Sequence, residues 1–455
     1  MEKNNEFLGT APVGKLLFKL AIPTIAAQLI NMLYNVVDRI YIGHIDEVGD
    51  LALTGLGVCM PIIMIVSAFA ALIGAGGAPR ASIFMGKGDK KSAERTMGSC
   101  FILQIIVSIV LTALLLVFHE PLLLAFGASE NTVVYASDYL KIYAIGTVFV
   151  ELTLGMNAYI TAQGFAKEGM ATVMIGAVLN IILDPIFIYG FGMGVRGAAL
   201  ATVISQGASC AWVMLFLLGK KSVLRLSADA LRLRPKLFMP CLALGLAPFI
   251  MQASESVISV AFNSSLLKHG GDIAVGAMTI LTSVMQFALL PLQGLAQGAQ
   301  PIISYNFGKR NPERVKRTVK LLMAISLGYS MLFFALIMLF PRTFASIFTP
   351  EEALIAFTAP VLRIYCLMIG IFGIQVAAQM TFVALGKALL SVSVAVMRKF
   401  ILLLPLIYLM PAVMADKVNA IYLAEPIADF LSVCFTVILF SITWPRVMRS
   451  ISIDC

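Results

Sequence analysis

Long apolar segments alternate with short polar ones along the whole chain. Twelve of the apolar segments have the length of a helix that crosses a membrane, which takes about 20 residues. The predicted spans are 16–43, 52–77, 96–118, 136–160, 168–190, 194–218, 237–265, 273–300, 318–340, 355–383, 389–411 and 418–443. This pattern predicts an all-α polytopic membrane protein.

The second half of the pattern repeats the first. Residues 85–96 (M-G-K-G-D-K-K-S-A-E-R-T) match residues 307–318 (F-G-K-R-N-P-E-R-V-K-R-T). Since each repeat holds an even number of spans, both enter the membrane in the same direction, and a pseudo-twofold axis along the membrane normal relates two six-helix bundles. The predicted units are an N-terminal bundle with the cation site over 1–218, a cytoplasmic linker loop over 219–236 and a C-terminal bundle over 237–455.

Composition and charge support this class. Hydrophobic residues make up 60% of the chain and charged residues 13%, which excludes an ordinary soluble protein. The net charge of +9 comes from basic residues gathered in the loops at 80–95, 219–236 and 309–320. By the positive-inside rule these loops and both termini are cytoplasmic, so the charge indicates topology and no nucleic-acid partner.

Several chemistries find no support in the sequence. The seven cysteines are scattered without a C-x-x-C pair, so neither a disulfide framework nor a metal site is predicted. No histidine falls inside a span, and neither an H-E-x-x-H motif nor a phosphate-binding G-x-x-x-x-G-K-[ST] loop is present. An intramembrane enzyme is therefore disfavoured, and we expect no cofactor.

A polar group interrupts span 5, where residues 180–190 are N-I-I-L-D-P-I-F-I-Y-G. Asn180 and Asp184 lie on one helix face, and Pro185 lacks an N–H, so the helix kinks and the carbonyl of Ile181 loses its partner. Oxygen donors at membrane depth suit a small cation or a proton. The alternative is a kinked helix whose acid is satisfied by a neighbouring helix.

The repeat fails at these acids. Asp38 falls opposite Asn263 and Asp184 opposite Leu404, so both acids belong to the N-terminal half alone. Asp38, Asp184 and Thr202 also lie within about one helical turn of one another in depth. We predict that the coupling cation, H⁺ or Na⁺, binds a site that consists of Asp38, Asn180, Asp184 and Thr202.

Other polar residues within the spans fit more than one role. Glu255 in span 7 is a candidate for a second ion or substrate contact, and Glu151 in span 4 suits a proton-coupling role or a structural polar pair equally well. A polar stripe in span 1 and glutamines in span 8 predict the wall of a wet cleft, with hydrogen bonds between helices as the alternative. The predicted lining residues are Gln28, Asn31, Asn35, Gln286 and Gln293.

Four charged residues form a separate group in the last two spans. Arg398 and Lys399 lie within span 11, while Glu425 and Asp429 lie one turn apart within span 12. Adjacent antiparallel helices bring them to similar depth, and isolated charges there are costly. We predict a structural cluster of mutually neutralising charges, with a proton relay as the alternative.

The span 5 motif, the two six-helix halves and the basic loops resemble the multidrug and toxic compound extrusion (MATE) family over essentially the whole chain. They are similar to the bacterial branch that includes a staphylococcal multidrug exporter. The resemblance implies that Asp38, Asn180, Asp184 and Thr202 correspond to the cation site of the family. A span 10 aspartate of some relatives has only neutral counterparts here, such as Gln375 and Gln379.

The resemblance also implies a function. We expect secondary active efflux of cationic or lipophilic drugs and dyes by antiport with H⁺ or Na⁺, through alternating access of the two bundles. The protein is expected in the bacterial inner (plasma) membrane as a multi-pass monomer surrounded by lipid. The alternative is a flippase of the same superfamily for lipid-linked oligosaccharides. A pyrophosphate headgroup would favour several arginines in the cleft, and the N-terminal bundle offers little beyond Arg39.

Overall fold

The computed structural model describes residues 6–45 and 48–452, and within them it contains fifteen α-helices, two π-helical segments and no strand. The helices are α1 (Phe7–Thr10), α2 (Val13–Gly43), α3 (Gly49–Gly86), α4 (Lys90–Ala125), α5 (Val133–Ala162), α6 (Ala166–Pro185), α7 (Val195–Leu218), α8 (Pro235–Gly308), α9 (Pro312–Leu339), α10 (Pro341–Ser346), α11 (Glu352–Tyr365), α12 (Ile369–Ala384), α13 (Ala388–Val396), α14 (Leu404–Val413) and α15 (Lys417–Ser452). The π-helical segments are Ile186–Gly190 and Met397–Leu403.

These helices account for all twelve predicted spans. Helix α8 has 74 residues, or about 110 Å at 1.5 Å per residue, which is several times the hydrocarbon thickness. Its backbone leaves helical geometry at Gly271, whose φ is 67°, so it consists of two arms that carry spans 7 and 8. Span 10 is divided between α11 and α12, which meet at an angle of 51°. The prediction of an all-helical polytopic membrane protein is confirmed.

The helices pack in two groups that follow the repeat. In the first half α5 packs against α3, α4 and α7, and α2 packs against α6; in the second, α12 packs against α9 and α15. Each half has a π-helical segment beside a proline, Pro185 in the first and Pro405 in the second. Since proline cannot donate a helical hydrogen bond, a wider turn beside it accommodates the break without ending the span.

The buried apolar residues show where the halves join. One core lies wholly in the first half around Leu56 and Tyr139, and a second wholly in the second half around Phe262 and Tyr422. A third core contains residues of both halves. It includes Leu16, Leu17, Met97, Leu224, Phe238, Tyr305 and Val315, which lie at or beside the basic loops. The halves therefore share a core at the basic end and have separate cores at the other end.

Close backbone contacts seal the basic end. A Cβ added at Gly76 would overlap the carbonyl oxygen of Cys241, and one added at Gly245 would overlap that of Leu72. Thr24 Oγ1 donates to the carbonyl oxygen of Gly294 at 2.6 Å across the same interface. Because the halves touch here and have separate cores at the other end, a cleft between them would open away from the basic loops.

The first helical turn bridges the halves at the basic end. The guanidinium of Arg314 in α9 donates to the carbonyl oxygens of Leu8 at 3.1 Å and Ala11 at 2.8 Å. Asn306 in α8 donates to the same carbonyl of Leu8 at 2.9 Å. Leu8 itself is fully buried, so the chain before α2 is held against the second half.

The predicted linker, 219–236, packs against the first half. The side-chain oxygen of Gln163 at the end of α5 accepts hydrogen bonds from Ser222 Oγ and from the backbone N–H groups of Val223 and Leu224, at 2.8–3.0 Å. The Leu224 side chain is fully buried in the shared core. At the exposed edge, the hydrogen bond from Arg95 to Asp229, 3.2 Å long, holds the pKa of that carboxyl below its usual value.

Candidate functional site

The four residues predicted for the cation site meet inside the first half. Asn180 Nδ2 donates to Asp184 Oδ1 at 3.1 Å and lies 3.5 Å from Thr202 Oγ1. The carboxyl group of Asp38 lies within hydrogen-bonding reach of the carboxyl group of Asp184. Helices α2, α6 and α7 thus contribute two carboxyls, one amide and one hydroxyl to one place.

The site contains oxygens that no protein group satisfies. Among the described residues, Asp38 Oδ1, Asn180 Oδ1 and Asp184 Oδ2 are buried without a hydrogen-bond partner. Buried polar atoms are normally paired, because leaving one unpaired costs about 1–3 kcal/mol. Three such oxygens, two of them from carboxyls, have the chemistry of a site for a proton or a small hard cation.

Local backbone structure places the span 5 residues. Asn180 and Asp184 are one turn apart in α6, which explains why their side chains can bond each other. Pro185 then begins the change to the π-helical segment. A Cβ at Gly197 would overlap the backbone of Phe187, so this glycine allows α7 to approach the segment closely.

Two tyrosines beside the site were missed by the sequence analysis. Tyr34 lies close enough to Asp38 and Asp184 to interact with both charges, and the hydroxyl of Tyr139 is within hydrogen-bonding reach of Thr202. Tyr34 precedes Asp38 by one helical turn, and this spacing could have placed its side chain beside the site. Each tyrosine therefore brings a hydroxyl, which can donate or accept a hydrogen bond, to the edge of the site.

A small cavity of about 40 Å³ with both polar and apolar lining residues adjoins the site and has room for water. From Asn180 and Thr202 it extends along α6 and α7 toward the basic end. Within the described part of the chain, the lining atoms Ser205 Oγ and Gln206 Oε1 are buried without partners. The polar lining residues are Asn31, Tyr34, Thr153, Thr172, Asn180, Thr202, Ser205, Gln206 and Ser209.

Glu151 lies apart from the two aspartates. It is fully buried in α5, and neither of its carboxyl oxygens has a hydrogen-bond partner among the residues described. Gln104 of α4 is equally buried and unpartnered, and it contacts α5 at Gly155, one turn beyond Glu151. The polar neighbour expected for Glu151 is thus nearby, but no hydrogen bond joins the two.

The predicted cleft lining divides into two groups. Gln28 Nε2 donates to Gln297 Oε1 at 3.2 Å, so Gln28 helps to join the halves. Asn35 donates to the backbone carbonyl of Asn31 at 2.6 Å, so this part of the stripe bonds within its own helix. Asn31 is exposed, as are Gln286 and Gln293 in the second arm of α8. The hydrogen bond of Gln28 matches the alternative of bonds between helices, and the lining of a cleft stays a prediction.

The charged residues of the last two spans form a network that also includes Glu255. Arg398 donates to Asp429 Oδ1 and to Glu425 Oε1, both at 2.8 Å. Lys399 Nζ donates instead to Glu255 Oε1 at 2.6 Å. The sequence analysis did not connect Lys399 with the acid in span 7, because two further acids lay at compatible depth.

The comparisons with known proteins agree with this architecture. The family model described as MatE matches residues 23–186 and 248–409. A FAD transporter of Shewanella oneidensis is 25% identical over 437 residues, which cover 94% of each chain. The multidrug export protein MepA of Staphylococcus aureus (strain MRSA252) is 23% identical over 403 residues, which cover 88% of each chain.

Solved structures show the same fold. A MATE structure in a bent conformation superposes with a TM-score of 0.92 at 22% identity and covers 99% of both chains. A multidrug resistance MATE transporter of the MOP superfamily in an outward-facing conformation superposes with a TM-score of 0.90 at 22% identity over 98% of both chains. The twelve-helix arrangement with two pseudo-symmetric halves is therefore established.

Proposed function

Because the chain belongs to the MatE family, it is a membrane transporter and not an enzyme, and we propose that it exports cationic or lipophilic compounds by antiport with H⁺ or Na⁺. The family expected from the span 5 motif is thereby confirmed. The multidrug exporters among its relatives support a multidrug efflux role, which needs no cofactor. We further propose that it works as a monomer in the bacterial plasma membrane.

The proposed orientation follows from the basic loops. The positive-inside rule assigns the shared core and both termini to the cytoplasmic side. A cleft that opens away from the basic loops then faces outward. In this state the cargo can leave, and a cation from outside can reach the carboxyl pair.

The carboxyl pair is the observation that supports ion coupling. Asp38 and Asp184 repel each other when both are ionised, so a proton or Na⁺ at their unpartnered oxygens stabilises the closely packed arrangement of α2 against α6. A ligand shifts an equilibrium between two arrangements only if it binds them with different affinity. Cation binding from outside and release toward the cytoplasm can therefore drive the halves from one arrangement to the other.

The membrane potential supplies energy when a neutral cargo is exchanged for the coupling cation, whereas a one-for-one exchange of two monovalent cations is driven by the concentration gradient of the coupling cation alone. One positive charge that moves inward through about 100 mV provides about 2.3 kcal/mol. At about 1.4 kcal/mol per factor of ten, this sustains roughly a fiftyfold gradient of a neutral cargo. A concentration gradient of the coupling cation adds to that value.

The decisive experiment is ethidium efflux from an efflux-deficient bacterium that produces the parent protein or Asp184→Asn. The parent is expected to lower ethidium accumulation, and the variant to lose that effect at equal expression. Asp50→Asn is the matched control, because Asp50 is an exposed acid at the start of α3. Efflux by Asp184→Asn equal to that of the parent would refute coupling through this carboxyl.

The Shewanella relative supports a second candidate, export of a flavin nucleotide. Such a cargo is anionic, whereas the exposed charge in the network of the second half is the carboxylate of Glu255. Cationic cargo is therefore favoured. Accumulation of FAD in inside-out vesicles that exclude ethidium would reverse the order of the two candidates.

A further inference from the structure

In the charge network of the second half, the acids outnumber the bases, and the side chains differ in their exposure. It contains three carboxylates (Glu255, Glu425 and Asp429) and two cations (Arg398 and Lys399), so with every group ionised it carries one surplus negative charge. Exposure is also uneven. The Glu255 side chain is 48% exposed, whereas that of Lys399 is 3% exposed and that of Arg398 4%.

The network consists of two neighbouring groups of charges, an inner one around Arg398 and the pair of Lys399 with Glu255. Arg398 bonds both Glu425 and Asp429, so this inner group has one more acid than bases in direct contact. Lys399 balances Glu255 through the 2.6 Å contact and also interacts electrostatically with Glu425. Lys399 thus lies between two sites that each lack one positive charge, and it can satisfy only one of them at a time.

The backbone helps to keep both cations in this position. Arg398 and Lys399 are consecutive, and on a regular α-helix consecutive side chains point about 100° apart. They lie in the π-helical segment Met397–Leu403, whose wider turn brings both into the protein interior. Regular α-helical packing on both sides of the segment makes it a localised departure, as π-helical turns at functional sites often are.

We propose that Lys399 is an internal counter-ion for Glu255, which a cationic group of the cargo displaces when it enters the cleft from the exposed side of that carboxylate. The Lys399 ammonium then turns toward Glu425 and Asp429, where it completes a group of two bases and two acids. Glu255 pairs with the cargo. The inner group of charges and the pair of Glu255 with the cargo are then both neutral, so one monovalent organic cation is accommodated without a buried unpaired charge.

This inference rests on the proposed efflux of cations and assigns specificity to a residue outside the carboxyl pair of the first half. Because every bound cation must compete with the lysine, Lys399 lowers the affinity for cargo. Moderate affinity favours a transporter, since tightly bound cargo would leave slowly on the far side.

Equilibrium binding of radiolabelled tetraphenylphosphonium to the purified full-length protein in lipid nanodiscs tests the proposal. This probe is a monocation without exchangeable protons. Lys399→Met removes the competing charge and is expected to tighten binding roughly tenfold. Glu255→Gln is expected to weaken binding by a similar factor, and Glu255→Gln/Lys399→Met, in which the pair is neutral, should show no gain over Glu255→Gln alone.

A purely structural ion pair predicts another pattern. Lys399→Met would then be thermally less stable and would bind the probe no more tightly than the parent, which would overturn the proposal. A gain in affinity that persists in the double variant would also overturn the proposal, because the probe would then not bind at Glu255. The same holds for a gain that excess Na⁺ abolishes at constant ionic strength, because Glu255 would then bind the coupling ion.

The variant Lys399→Arg tests the proposal even if the uncharged variants fold poorly. It keeps the positive charge, and a planar guanidinium can hold both oxygens of Glu255. We expect binding of the probe to weaken several-fold, and unchanged or tighter binding would contradict the proposal. If the parent binds no cation at all, the proposed efflux function fails as well, whereas normal efflux with no response at Lys399 refutes this inference alone.

Discussion

At the scale of single residues, the site depends on oxygen atoms that lack partners. Asp38 and Asp184 provide charge, and Asn180 provides an amide whose nitrogen is already committed to Asp184. Thr202 adds a hydroxyl at the edge of the group. Under the proposed function, each atom is either a ligand for the coupling cation or part of the support that orients such a ligand.

Thr202→Val tests this at one atom, because the two side chains have nearly the same shape. Loss of the hydroxyl is expected to raise the cation concentration for half-maximal efflux by roughly tenfold or more, since a hydrogen bond to a charged group contributes about 1.5–3 kcal/mol. The measurement is dye efflux from proteoliposomes against a series of Na⁺ concentrations and pH values. Thr54→Val is the control, because Thr54 is exposed and bonds only its own helix. An unchanged half-maximal concentration would exclude Thr202 as a contributor.

Part of this site could be predicted from the sequence, because an acid in an apolar span is conspicuous. Counting residues from the span ends placed Asp38, Asp184 and Thr202 at one depth, and their side chains do meet. Depth does not determine how each helix is rotated about its axis. For that reason Tyr139 and the partner of Lys399 were missed.

At the scale of elements, the linker at 219–236 differs from a free loop. Its basic residues predicted the cytoplasmic side, but its apolar residues were a further signal that the sequence analysis did not use. Leu224 and Leu226 are buried against the first half, and the hydrogen bonds to Gln163 begin this docking. The linker thus joins the two halves and also belongs structurally to one of them.

Gln163→Ala is expected to detach the start of the linker. The change leaves the backbone N–H groups of Val223 and Leu224 without their acceptor, and buried donors of this kind cost about 1–3 kcal/mol each when unpaired, whereas the Ser222 hydroxyl keeps the carbonyl of Leu224 as an acceptor. Limited proteolysis with trypsin should cut the variant after Lys221 or Arg225 faster than the parent, by roughly tenfold or more. Gln300→Ala serves as the control, since Gln300 lies in α8 and takes no part in the hydrogen bonds that join the linker to Gln163. Equal cleavage rates would show that the buried leucines alone hold the segment.

At the scale of the whole molecule, the shared core at the basic end defines the arrangement of the halves. Opening this end requires separation of α3 from both arms of α8, and the close contacts at Gly76 and Gly245 show how tightly they fit. The periodic pattern predicted two bundles correctly. It did not predict which end was closed, because the same spans can form an arrangement of the two halves that is closed at either end.

Gly245→Val is expected to hold the basic end open. The added side chain overlaps the carbonyl of Leu72, and overpacking costs about 1–3 kcal/mol or more, so the closed arrangement loses roughly 10- to 100-fold in population. In a background where Cys241 is the only cysteine, a membrane-impermeant maleimide applied to the cytoplasmic side should label it faster, and efflux should fall. Gly57→Val is the control, because open space surrounds Gly57. Slow labelling of Cys241 in Gly245→Val would contradict this account.

The two-armed helix α8 also has a consequence for how the chain reaches the membrane. Its arms meet at Gly271, with no separate loop between them to be carried across first. The first arm contains Glu255, and its partner Lys399 lies in the second π-helical segment, which the ribosome makes much later. We expect both arms to enter the bilayer before the last helices are made, so that the carboxyl of Glu255 lacks this partner until those helices arrive. Biosynthesis of the second half thus includes an interval in which a polar group awaits its counter-ion, and at that stage an insertase or chaperone has most to contribute.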